Sequence, residues 1–270
     1  MKVDPILPTQ LNAQSKVTSS EVNAPAGSFE SVLEGVEGET SATRVARFSE
    51  LQESFYDWRS ELDTTHPLNL PRYDQVMGSS DAFLGIVEKA VMEDGYSDPL
   101  AFVQGLSGVE LDTLKAMHST GDLNPATMTE EGALNLILPF NERQDIDNDG
   151  FVEKGHGVGW SFPPVNAPQH VHDAWKETTE GMTAGEKMMA EAALLPSMLR
   201  RDNATGEVTQ VERSESNNPY ARAGFSYVAI VQQRLDSLEA FKHDMSSEQY
   251  DFKKDFLTRF RGHLSDEGTS

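Results

Sequence analysis

Asp145, Asp147 and Asp149 are spaced by two in the run Asp145-Ile146-Asp147-Asn148-Asp149-Gly150-Phe151-Val152-Glu153. Alternating carboxylates followed by a turn glycine meet the demands that a hard divalent cation places on a short loop. Calcium takes six to eight oxygens at roughly 2.3 to 2.6 Å, and alternate side chains of a turning chain can converge on one such point. Three carboxylates gathered without a cation would repel one another. The expected donors are the side chains of Asp145, Asp147 and Asp149, the carbonyl of Phe151, and Glu153 directly or through water. Calcium is the expected ion, because magnesium demands stricter octahedral geometry.

A helix, a short connection and then Asp-x-Asp-x-Asp-Gly is also how an EF-hand begins, and residues 145 to 153 resemble the first two-thirds of that family's loop. Asp145, Asp147 and Asp149 fall at its positions 1, 3 and 5, with Gly150, Phe151 and Val152 following in register. At position 12, where the family places a bidentate glutamate, stands His156, and the segment from Gly155 to Pro164 is too rich in glycine and proline to be the exiting helix. The resemblance therefore implies a single structural ion clasp over residues 145–156, completed by water or a distant carboxylate. Its expected job is to brace the Gly155-to-Pro164 segment, fixing His156, Trp160 and Phe162 against the helical body.

Other chemistry is less well supplied. His170-Val171-His172 invites a zinc reading together with His156, but the helical phase set by Val171 and Trp175 sends the two neighbouring imidazoles in nearly opposite directions. A cleft lined by His156, Trp160 and His172 would suit a calcium-stabilised hydrolase, the principal alternative. No phosphate-binding loop, His-Glu-x-x-His or Gly-x-Ser-x-Gly elbow is present. The chain has no cysteine, which excludes disulfides, thiolate catalysis and Cys-based metal sites. Its formal charge of −22 argues against nucleic-acid partners, and the scattered acids read mainly as a solvated surface.

The elements that must position the loop are helical. Val45, Phe48, Leu51, Phe55, Trp58 and Leu62 mark one face of a helix over 42–62, and His66 to Pro71 reads as a linker. Ser80 or Asp81 is expected to cap a helix carrying Phe83, Ile86 and Val87 and ending near Gly95. Asp98 with Pro99 opens another, Ser107 with Glu110 forms a capping box, and His118 stands near that helix's end, where protonation would suit the dipole. Thr127 with Glu130 repeats the box ahead of Leu134 and Ile137, Pro168 opens a helix, and Thr183 with Glu186 starts one bearing Met188 and Met189. Turn residues around Asn203 to Gly206 predict a small hairpin. Phe225 to Phe241 and Phe252 to Leu264 predict an antiparallel helix pair at the carboxy end.

The expected fold is mainly α: an irregular multi-helix domain over 41–270 with one EF-hand-like loop, a C-terminal helix pair and one small hairpin, behind a flexible polar tail over 1–40. The 37% hydrophobic fraction agrees with part of the chain being unpacked. No stretch approaches the ~20 apolar residues of a membrane span. The amino terminus lacks a cleavable signal peptide, which leaves a cytoplasmic location or non-classical export. The tail's polar composition is similar to the leaders of bacterial flagellar and type III exported proteins, a resemblance that implies export by such a route. The expected function is that of a calcium-binding accessory or interaction protein, with the calcium ion and a protein as its partners.

Overall fold

The computed structural model describes residues 40–62, 64, 69–195, 199–201, 205–222 and 225–267. Residues 1–39 of the polar tail and half of the His66 to Pro71 linker lie outside the described residues. Helix α1 spans Ser41–Ser60, with the Thr40 side chain accepting from the Thr43 amide. Its face meets the core through Leu51 and Phe55, and Trp58 stacks on Phe140 with ring centroids 3.8 Å apart.

Helix α2 runs over Leu70–Met92, so it begins ten residues before the start expected at Ser80. Pro71 lies in its first turn, where a missing amide hydrogen breaks no helical bond. Ser80 sits inside the helix, its hydroxyl donating to the carbonyl of Val76 one turn back at 2.7 Å. Helices α3 (Pro99–Gln104) and α4 (Gly108–His118) begin where Asp98 and Ser107 are expected to cap them, and both bonds of the Ser107/Glu110 capping box are present. Helix α5 spans Glu130–Ile137. Its cap is Thr129, accepting from the Gly132 amide, and not Thr127, which belongs to a single 3-10 turn over Pro125–Thr127.

After the acidic loop, β1 (Val152–Lys154) and β2 (Gly157–Gly159) pair antiparallel, with Val152 opposite Gly159 and Lys154 opposite Gly157. This hairpin occupies the place where an exiting helix would stand. Helices α6 (Gln169–Thr179) and α7 (Ala184–Leu194) follow, the latter with the expected Thr183/Glu186 capping box. The second hairpin joins β3 (Leu199–Arg201) to β4 (Val208–Gln210), and helices α8 (Tyr227–Ala240) and α9 (Ser247–Glu267) pack together as the C-terminal pair. The described chain is thus mainly helical, and none of its helices is long and apolar enough to cross a membrane.

Buried apolar side chains fall into two clusters that follow the chain. The first runs from Leu51 to Leu138 and joins α1 to α5; the second runs from Phe162 to Leu264 and joins α6, α7, α8 and α9. In the second, Phe256 and Phe260 lie one helical turn apart, fully buried, and Trp175 meets both edge-on at 5.7 and 6.0 Å. Each such ring contributes roughly 1.5 to 3 kcal/mol by leaving water. The acidic loop and its hairpin lie in sequence between the two clusters.

Candidate metal centre

The site is built on one face of α5. Glu131 is only 7% exposed although charged, because it opens a run, residues 131–139, that is buried throughout. Its Oε2 accepts the Ile146 amide and its Oε1 the Glu153 amide, both at 2.7 Å, so one carboxylate holds both ends of the loop. One turn on, Asn135 donates through Nδ2 to the carbonyls of Gln144 and Glu153 at 2.7 and 2.9 Å, and accepts the Gln144 amide at 2.9 Å. Between them, the carbonyl of Gly132 accepts the Gly155 amide at 2.8 Å. A Cβ on Gly132 would stand 2.3 Å from the Gly155 carbonyl oxygen, so this backbone approach requires glycine.

The loop then closes on itself. Asp145 is 5% exposed; its two oxygens accept the amides of Asp149 and Gly150 at 3.0 and 2.8 Å. Asp147 accepts the Asp149 amide at 3.2 Å, and Asp149 accepts that of Phe151 at 2.8 Å. Gly150 has φ +87, the left-handed conformation that lets the chain turn here. Carboxylate oxygens of Glu131, Asp145 and Asp147, one from each, all lie within 4.8 Å of one another.

Burial dominates the electrostatics. It pushes the Asp145 carboxyl up to about 7, helped by the charges of Glu131 and Asp149 and opposed by the two amides it accepts. Glu131 and Asp149 are also raised, again chiefly by burial. The convergent carboxylates of Glu131, Asp145 and Asp147 form a hard oxygen donor set that could hold a divalent metal ion, whose charge would offset their mutual repulsion.

Of the donors expected from the sequence, Asp145 and Asp147 belong to this group. Asp149 and Glu153 stand beside it: the Arg213 guanidinium lies 4.0 Å from the Asp149 carboxylate and 3.4 Å from that of Glu153, and the Thr129 hydroxyl also donates to Glu153. Phe151 is half-buried with the same guanidinium 5.8 Å over its ring. The third carboxylate, Glu131, was not foreseen. Its sequence signal is an acid two residues after the capping Thr129, at the head of the apolar run that begins at Ala133.

The C-terminal half grips the loop through amides. Asn166 donates to the Asp145 carbonyl at 2.9 Å, and Asn218, 3% exposed, donates to the Asn148 carbonyl at 2.8 Å. Asn148 in turn donates to Glu215 at 3.1 Å.

The histidines are dispersed. His156 is exposed, with Nε2 3.2 Å from the Asn124 carbonyl oxygen. His170 is exposed on α6, and His172 is half-buried there, its pKa lowered by burial. None of the three joins the group of Glu131, Asp145 and Asp147. Trp160 packs beside Phe162 in the second cluster, whereas His156 lines a cavity together with His118 and Lys154.

His118 differs from the charged helix-end residue expected. It is 4% exposed, and its Nε2 lies 2.8 Å from the Leu136 carbonyl while its Nδ1 lies 3.1 Å from Arg143 Nη2. A carbonyl only accepts and a guanidinium only donates, so the ring is neutral with its hydrogen on Nε2. Burial lowers its pKa well below the usual value, reinforced by Arg143. The end of α4 is served instead by Arg72, which donates to the carbonyls of Ala116 and Met117.

No protein-family model matches the chain, and no curated protein or solved structure shows significant similarity to it.

Proposed function

We propose that the chain is a calcium-binding accessory protein in which one structural ion, held by Asp145, Asp147 and Glu131 with Asp149, Glu153 and the Phe151 carbonyl near at hand, fixes an EF-hand-like loop. The observation that carries this reading is the convergence of the buried Glu131 carboxylate on those of Asp145 and Asp147. An acid from the start of α5 then supplies the charge that an EF-hand loop draws from its twelfth position. An all-oxygen donor set favours calcium, magnesium or manganese over softer metals, and the irregular loop suits the adaptable shell of calcium. Because the loop is followed by a short hairpin and is gripped by Asn166 and Asn218, the ion's role is to brace. A helix-rearranging sensor would need a second helix after the loop.

Chelator-treated protein titrated with calcium tests this. A ligand at 100 times its Kd adds about 2.7 kcal/mol, which for a domain of this size is roughly 5 to 10 °C in Tm. The D147N variant keeps the oxygen that accepts the Asp149 amide while losing the charge. Its metal-free Tm is expected to equal or exceed that of the wild type, with the calcium response shifted to at least tenfold higher concentration. A wild-type melting curve that does not move at millimolar calcium, or that moves equally in D147N, sinks the reading.

A further inference from the structure

On the other side of β1 the charge is reversed. Successive side chains of a strand point to opposite faces; Glu153 is engaged by Thr129 and Arg213, whereas the next residue, Lys154, lines a cavity of about 430 Å³. That cavity lies between the end of α4, residues 118–123, and the β1–β2 hairpin, with His118, Thr120, His156 and the glycine strand Gly157–Gly159 in its wall.

Lys154 is the one cation among the residues that line this cavity, in a protein of net charge −22. Lys154 is half-buried and neither donates a hydrogen bond nor forms an ion pair among the described residues. Behind the wall Arg143 donates to the His118 ring and Arg72 to the carbonyls of the two residues before it, and the charges of both are felt by Lys154 and His118. Both guanidiniums are engaged by neutral groups, Arg143 by Nδ1 of His118 and by the face of Phe140 at 3.9 Å, Arg72 by the α4 carbonyls. No carboxylate balances any of the three among the described residues. One acid, Asp122, lines the cavity too, but its side chain is fully exposed and faces Lys115 at 3.8 Å. Thr120 adds a hydroxyl oxygen that is buried without a hydrogen-bond partner. Buried donors of this kind are ordinarily satisfied, and like charges crowded together favour an anion between them.

We infer that this cavity binds the oxyanion group of a small molecule, a phosphate or a carboxylate, with Lys154 and Thr120 as its direct donors and Arg143 and Arg72 supplying the surrounding positive field. The volume lies at the lower end of that of small-molecule sites, roughly 300 to 1,000 Å³. It accommodates one oxyanion on a small organic body.

Calorimetric titration with phenyl phosphate and, separately, succinate, at ionic strength held constant with sodium chloride and with calcium present, tests the site. The expected result is a saturating isotherm for at least one probe, weakened at least tenfold by K154M and at least threefold by T120V, and unchanged by K254M, whose lysine pairs with Glu239 elsewhere. Binding of phenyl phosphate alone assigns a phosphate ligand, and of succinate alone a carboxylate. Amide NMR shifts at Gly157 and Gly159 on titrating the wild type are expected even if K154M fails to fold. The inference is overturned if neither probe saturates, if folded K154M binds as tightly as the wild type, or if the shifts fall elsewhere.

Discussion

Asn218 reaches back 70 residues to donate its side-chain amide to the backbone carbonyl of Asn148, and its oxygen and nitrogen lie against Gly150 at the point where the loop turns. The same oxygen accepts the Tyr220 amide at 2.9 Å. One buried side chain therefore fixes both the turn of the acidic loop and the start of the 3-10 turn that precedes α8.

Replacing Asn218 by alanine removes both bonds and strands two backbone groups. At about 1 kcal/mol per lost bond, rising where a partner stays buried, the N218A variant is expected to lose about 1 to 3 kcal/mol. In urea unfolding this appears as a lower midpoint with an unchanged slope. A variant within about 0.5 kcal/mol of the wild type, the range of a neutral surface change, would show that the loop holds without this grip.

Two glycines in helices make opposite predictions. At Gly85 in α2 nothing lies within 4 Å of an added Cβ, so G85A is expected to stabilise by up to about 1 kcal/mol through helix propensity. Gly132 in α5 has the same propensity to gain, but its Cβ would meet the Gly155 carbonyl oxygen at 2.3 Å. The clash outweighs the gain, and G132A is expected to destabilise by about 1 to 3 kcal/mol. Measured side by side in urea, equal effects of the two substitutions would mean that α5 and the hairpin do not approach this closely.

The buried neutral His118 ties stability to pH. Its folded pKa is depressed, so below about 6.5 the unfolded chain binds the proton that the folded one refuses. Its contribution is therefore present above about pH 6.5 and is lost as the pH falls. An H118Q variant, which can donate to Leu136 and accept from Arg143 without titrating, removes that slope. From pH 7.5 to pH 5 the stability gap between wild type and H118Q is expected to move in favour of the variant, by up to about 2 kcal/mol. A gap constant with pH would place the ring in contact with solvent.

Much of this architecture was legible in the sequence where it is local. Capping pairs such as Ser107 with Glu110, the four-residue spacing from Phe252 to Leu264, and the Asp145-to-Gly150 turn each involve residues within a few positions of one another, and each took the predicted form. The start of α2 was missed because Ser80 and Asp81 have the chemistry of N-caps, while the helix that buries Val76 and Phe83 runs straight through them. Glu131 was missed because its place among the loop carboxylates depends on α5 lying against β1, a contact with no local trace. The basic cavity is less legible still: Lys154 comes from β1, and only the folded chain brings it against residues 118–123.

The layout of the two apolar clusters along the chain carries a consequence for synthesis. Residues of the first cluster are all translated before the acidic loop, whereas Asn218 emerges 70 residues after Asn148. At about 5 to 20 residues per second, that interval lasts roughly 3 to 14 s. Throughout it every residue of the first cluster and of the carboxylate-rich loop has been made, while the loop's last fastening has not. An ion captured in those seconds would hold the loop in shape until the rest of the protein arrives to lock it.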